Sequence, residues 1–282
     1  MNPYRDTQQP RRRPMSANSS ARRQTPAQNQ TTKTSWGKVA DWYSELLEAS
    51  GGTYQQEVIL PNLMRLVAPS KGEAILDLAS GQGFFSRELA RAGAKVAGCD
   101  ISPELVARAK TLSPSLKIDF RAAAAHETPF ADDTFDKAIC VLAIQNIHNA
   151  NEALNEAGRV LKPQGSLHLV LNHPAYRIPQ ASSWGFDERA GVQFRRIDRY
   201  LSENKVEIKM HPGQTNSEST WSYHRPLQTY FKWLRASGFH IRNLEEWVSH
   251  RQSDPGTRSK AENFARKEFP LFMYLEAVKC DV

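Results

Sequence analysis

No long apolar run occurs in the 282 residues. A helix that crosses a bilayer needs about 20 consecutive apolar residues, so the sequence predicts a chain without membrane helices, working in the cytoplasm and with no membrane partner. Cysteine is scarce: Cys99, Cys140 and Cys280 stand far apart, inside apolar runs. That excludes a disulfide framework and predicts reduced, buried thiols. The eight histidines are scattered, and no His or Cys pair has ligand spacing on one element near acids, so no metal site is expected. Gly81 and Gly83 enclose Gln82, which is not a nucleophile, and no P-loop lysine follows them.

Acids are nearly missing from residues 1–35. Seven cations (Arg5, Arg11, Arg12, Arg13, Arg22, Arg23 and Lys33) face the single acid Asp6, so this stretch carries +6 of the total +7 and the rest carries +1. A near-neutral body argues against a large nucleic-acid groove; contact with nucleic acid is open only through the tail and is not favoured. Large aliphatics are missing there too, and what remains cannot bury enough surface to order itself. Residues 1–35 read as a disordered basic tail, without the amphipathic stripe of an organelle transit peptide. Residues 36–282 read as one domain, and a hydrophobic fraction of 40% is enough to give it a core.

One stretch organises that domain, Ala74-Ile-Leu-Asp-Leu-Ala-Ser-Gly-Gln-Gly-Phe-Phe-Ser-Arg-Glu-Leu89. It predicts a short buried strand, a glycine turn and a helix that Gly93 stops. Such a turn presents backbone N–H groups to a small polar ligand. Asp77 lies at the strand's end, and Asp100 ends the next strand candidate, where a carboxylate can accept from both hydroxyls of a ribose. Further on, strands are predicted over 74–79, 95–100, 117–121, 135–142 and 166–172, with helices over 83–92, 103–112 and 150–161. Alternation with short links implies a parallel sheet covered on both faces, with ligands beyond the carboxyl ends of its strands.

Four segments carry a family resemblance: Asp77-Leu-Ala-Ser-Gly-Gln-Gly83, Asp100-Ile-Ser-Pro103, Pro129-Phe-Ala-Asp-Asp-Thr-Phe-Asp136 and Arg159-Val-Leu-Lys-Pro-Gln-Gly165. In this order, within residues 74–172, they resemble the four motifs of class I methyltransferases that use S-adenosylmethionine, closest to the group that includes the ubiquinone/menaquinone-biosynthesis enzymes. The resemblance implies an α/β fold: a Rossmann-like doubly wound sheet, mostly parallel with an antiparallel C-terminal strand, plus a small α/β substrate cap over 173–225 inserted after the fifth strand. It implies a helical lid over 36–70, where Trp42, Tyr43 and Tyr54 are candidates to face the ligand. It implies S-adenosylmethionine as cofactor, with Gly81 and Gly83 letting the backbone approach it and Ala79 standing where the family has its first glycine. Asp77 would act at the methionine end, beside Leu142. Asp100 would bind the ribose diol, with Ile101 against adenine. Many relatives place an acid at the position of Ala124; Ala125 would then offer its backbone N–H, with His126 or Glu127 as replacement acceptors.

Methyl transfer from a sulfonium is an in-line displacement, so the protein mainly aligns the reactants and excludes water. A base helps when the acceptor must lose a proton. His173, directly after the fifth strand, and His224 are the candidate bases; Tyr54, Gln145, Trp184, Tyr223 and Arg225 are the candidate substrate residues. The expected function is methyl transfer to a small-molecule acceptor by a monomer or homodimer. Three alternatives stay open: a tRNA or rRNA methyltransferase tethered by its tail, a non-catalytic cofactor-binding regulator, and a nicotinamide-dependent reductase, although Ser86 occupies the third glycine position of that last motif.

Overall fold

The computed structural model describes residues 52–209 and 219–281. The basic tail, residues 36–51 of the expected lid with Trp42 and Tyr43, and residues 210–218 of the expected cap lie outside the described residues.

The described chain enters through a π-helical turn, Gln55–Ile59, that runs into α1, Leu60–Val67. Pro61 has no N–H for the carbonyl four residues back. The preceding turn is widened: the Leu60 N–H reaches the Gln55 carbonyl, five residues back. The helix therefore passes through the proline without a break.

Eleven strands follow among the described residues: β1 (Ala74–Leu78), β2 (Lys95–Asp100), β3 (Asp119–Ala122), β4 (Phe135–Val141), β5 (Leu161–Asn172), β6 (Ser182–Asp187), β7 (Val192–Ile197), β8 (Asn204–Lys209), β9 (Ser219–His224), β10 (Phe239–Trp247) and β11 (Phe272–Lys279). The remaining described helices are α2 (Phe84–Arg91), α3 (Pro103–Thr111), a 3-10 turn (Ile144–Asn146), α4 (Ala150–Val160), α5 (Leu227–Ala236) and α6 (Ser259–Glu268). Seven strands form the main sheet, in the order β10-β11-β5-β4-β1-β2-β3. All neighbours from β5 to β3 pair parallel, while β11 is antiparallel to both β5 and β10. The order reverses between β1 and β4, and that switch point opens the crevice where such sheets bind ligands.

Strand periodicity divides the core. Leu76 and Leu78 pack in the layer with Ala153, Ala157 and Leu154 of α4 and with Tyr230 and Leu234 of α5. Ile75 turns to the opposite layer, with Leu63 and Val67 of α1 and Phe85 and Leu89 of α2. Asp77, two residues on from Ile75, falls on this second face beneath α2. β5 starts five residues earlier than expected because α4 stops at Val160. Pro163 accounts for this, since it biases the residue before it toward extended backbone.

The insert between β5 and α5 corrects the α/β cap expected from the sequence. It consists of two antiparallel hairpins, β6–β7 and β8–β9, with no helix among the described residues. At the first turn, Asp187 Oδ1 accepts from the N–H groups of Arg189 and Ala190. Gly191 takes φ +65° beyond it, which fixes a tight reversal in place of a helix. Cys99 and Cys140 are free and fully buried; burial pushes the Cys99 thiol up to about 12. No described helix is long and apolar enough to cross a membrane.

Candidate active site

The site is built on the turn after β1. Ala79 takes φ +58°, Gly81 +56° and Gly83 +76°. The Ser80 N–H donates to the Cys99 carbonyl of β2, and the Gly83 N–H to the Ser80 carbonyl, both at 2.9 Å. A left-handed conformation costs an L-residue roughly 1–2 kcal/mol, which is why glycine is usual where this chain has Ala79. Leu142, just past β4, is also left-handed at φ +53°. Two strained non-glycine residues at the tips of β1 and β4 flank the switch point. At Gly83 the glycine is needed for packing: a Cβ there would sit 2.6 Å from the Phe120 ring.

Asp100 is 7% exposed, and both its oxygens are held by backbone. Oδ2 accepts from Gly81 N–H and Oδ1 from Ser102 N–H, each at 2.9 Å. Burial raises its pKa, and these two amides oppose the rise. Ser102 also caps α3, accepting from the Leu105 N–H. Asp77 is 2% exposed and accepts a hydrogen bond from Ser86 Oγ at 2.5 Å. Burial pushes it up to about 7, with a smaller push from Asp100 and relief from Ser86. A buried carboxylate poised near neutrality is a ready counter-ion for an ammonium group. One clamped by two amides, with lone pairs to spare, suits a diol.

Both acids line one cavity of about 470 Å³, within the size range of small-molecule sites. Ala79, Gly81, Ile101, Ala125, Leu142 and Tyr223 line it as well; Gly83 does not. The other expected residues lie elsewhere. His173 is buried, accepts the Ala175 N–H at Nδ1 and donates from Nε2 to Glu246 at 2.6 Å. Burial lowers its pKa. Both ring nitrogens are thus engaged in fixing the chain after β5. His224 donates from Nε2 to the Tyr200 carbonyl at 2.7 Å. With Gln145 and Arg225 it borders a separate recess of about 20 Å³, room for about one water. Arg225 gives its guanidinium to the carbonyls of Ile147 and His148, at 2.9 Å each, and stacks between Tyr223 and Trp233. Tyr54 and Trp184 border a third hollow.

Two cavity residues escape the sequence reading. Gln82 is buried; its Oε1 lies 3.4 Å from Arg87 Nη2, and its Nε2 has no partner. The neighbouring Ser80 Oγ is buried and unpartnered as well. Orphaned donors beside Asp77 are the complement of a ligand carboxylate. The second residue is His148, on the loop between β4 and α4. Asn149 gives its amide N–H to Glu152 and turns its Oδ1 toward His148 Nδ1, 2.8 Å away. That fixes the proton on Nδ1 and leaves Nε2 as an acceptor. The ring meets Tyr223 edge-on, with centroids 5.4 Å apart. Gln82 lies inside the glycine motif, but its type alone marks no role; His148 belongs to no motif, and only long-range folding brings it to Tyr223.

A sheet of this order, with a glycine turn and two acids at the tips of its first two strands, defines an α/β nucleotide-binding protein. Known proteins narrow the class. The family described as "Methyltransferase domain" matches residues 76–169. The chain is 30% identical over 203 residues to a demethylmenaquinone methyltransferase of Clavibacter sepedonicus, covering 70% of this chain and 80% of that one. It is 36% identical over 131 residues to a ubiquinone/menaquinone biosynthesis C-methyltransferase of Cereibacter sphaeroides, spanning about half of that relative (52%) and 44% of itself. An S-adenosylmethionine-dependent methyltransferase of Mesorhizobium loti superposes with a TM-score of 0.62 at 27% identity, covering 78% of this chain and 96% of that one. The cyclase SpnF shares the fold, with a TM-score of 0.56 at 18% identity and coverage of 88% and 97%. The chain belongs to the class I S-adenosylmethionine-dependent methyltransferases, with S-adenosylmethionine as its cofactor.

Proposed function

We propose that this enzyme methylates a small, largely apolar molecule whose acceptor atom must lose a proton, and that His148 receives that proton. The observation that carries the reading is the continuous cavity from the buried Asp77–Asp100 pair to Tyr223, Trp221 and His148. The names of the quinone-pathway relatives favour the same substrate class.

The donor set fits the cofactor. Asp100 would take the ribose hydroxyls, with Ile101 and Ala125 bounding the base. Asp77 would face the amino group and Gln82 Nε2 the carboxylate of the methionine part. When bound, S-adenosylmethionine supplies a methyl group on a positive sulfur. Ile147, Trp221 and Tyr223 would hold the acceptor, and Nε2 of His148 would remove its proton. Arg225 acts as a positioning residue, because its guanidinium fixes the two carbonyls that carry His148. The insert over 173–225 is the substrate cap, and 36–282 is the catalytic domain.

The test is transfer of labelled methyl from S-adenosylmethionine to a panel of hydroquinones, phenols and total RNA. Label in an organic-soluble product, slowed strongly in His148→Ala, is the expected result. Label confined to RNA would overturn the substrate class, and full-rate turnover by His148→Ala would remove the base.

A further inference from the structure

The hollow bordered by Tyr54 and Trp184 is a cavity of about 230 Å³ that shares no lining residue with the main one. Arg177, Arg195 and Arg266 converge on it, beside Tyr54, Tyr176 and Trp184, and no Asp or Glu lines it. Among the described residues none of the three arginines makes an ion pair. Of the acids nearest in the chain, Asp198 pairs with Arg196, and Glu262 and Glu268, on α6 beside Arg266, do not line the cavity.

Among the described residues their hydrogen bonds are few and go to neutral groups. Arg177 donates to Asn172 Oδ1 at 2.7 Å and lies 5.3 Å over the Phe272 ring. Arg195 donates to the Tyr176 carbonyl and to Ser182 Oγ, and lies 5.1 Å over Trp184. Arg266 donates to Ser253 Oγ at 3.2 Å. A guanidinium has five N–H donors, so most of these remain available. Burial lowers the pKa of Arg177, and neighbouring Arg195 adds to the fall. Like charges brought together in a hollow without a counter-ion are costly, and a doubly charged oxyanion offsets three guanidiniums better than a single charge. The other walls are rings: Phe269 meets Tyr176 and Trp184 edge-on, both at 5.5 Å. They offer an apolar flank beside the charged centre.

We propose that this cavity is a binding site for a phosphate group carried on a small aromatic body, separate from the methyl-transfer site. Arginine forks match the paired oxygens of such a group.

The test is calorimetric titration of the full chain at fixed ionic strength with phenyl phosphate, inorganic phosphate and benzoate, on wild type, Arg266→Gln and Arg195→Gln. Phenyl phosphate is expected to bind tightest, and at least tenfold more weakly to each variant, with S-adenosylhomocysteine affinity unchanged as the control for an intact fold. Arg266, on the half-exposed side of α6, keeps the test open if Arg195→Gln fails to fold. No phenyl phosphate binding by wild type, binding unaltered in Arg266→Gln, or benzoate binding as tightly as phenyl phosphate would overturn the proposal. Each of these outcomes leaves the methyltransferase reading untouched.

Discussion

The two ends of the main cavity are held by different means. At the nucleotide end the backbone holds the side chains: Asp100 is clamped by the amides of Gly81 and Ser102, and the turn itself hangs on the Cys99 carbonyl. At the cap end side chains hold the backbone: Arg225 reaches 77 and 78 residues back to fix the loop of His148, and Asn149 sets that ring's tautomer. Amides belong to every residue, so the first arrangement is written in a short local motif. The second depends on a few particular side chains far apart in the chain. In the function proposed above, the first kind of structure would read the common cofactor and the second the individual acceptor.

This contrast can be broken in order of expected effect. Asp100→Ala should weaken S-adenosylhomocysteine by on the order of 100-fold in calorimetry, since each hydrogen bond to a charged group is worth about 1.5–3 kcal/mol. An unchanged affinity would remove the diol assignment. At the other end, His148→Ala should lower kcat by about 100-fold without altering S-adenosylhomocysteine binding. His173→Ala should leave kcat within about twofold and cost about 0.5–1.5 kcal/mol of stability, because it removes the hydrogen bonds with the Ala175 N–H and Glu246. If the two variants exchange these phenotypes, the bases have been assigned the wrong way round.

Asp77 sharpens the comparison through pH. Its pKa of about 7 in the ligand-free protein lies above its unfolded value of about 3.9. The folded state therefore holds the extra proton, and ligand-free stability falls as pH rises from about 4 to about 7. Binding of an ammonium-bearing ligand needs the ionised form. Affinity for S-adenosylhomocysteine should therefore rise about tenfold from pH 6 to pH 8, and Asp77→Asn should flatten that rise. The smallest effect is local: Ala79→Gly relieves the φ +58° backbone and should stabilise the chain by about 0.5–1 kcal/mol in thermal melts.

The same contrast explains what could be read from the sequence. Strand–helix alternation and the acids at the tips of β1 and β2 gave the sheet and the nucleotide end, because periodicity and turn glycines act over a few residues. Helix α6 escaped: only Ala265 of Ser259–Glu268 is buried, so no apolar stripe marks it. The β6–β7 hairpin escaped for a related reason, with Trp184, Val192 and Phe194 all exposed. The place of His173 after a strand and of His224 before a helix is what marks them in the sequence. Whether a histidine's nitrogens are engaged depends on partners such as Glu246, 73 residues away. The tautomer-fixing chain of Glu152, Asn149 and His148 is local, but its nearness to Tyr223 is not.

The most direct test of the central claim is a crystal structure with S-adenosylhomocysteine bound. The account predicts both ribose hydroxyls within hydrogen-bonding distance of the Asp100 carboxylate, and the amino group of the homocysteine part beside Asp77. A nucleoside seated elsewhere, with Asp100 still bonded only to Gly81 and Ser102, would contradict it.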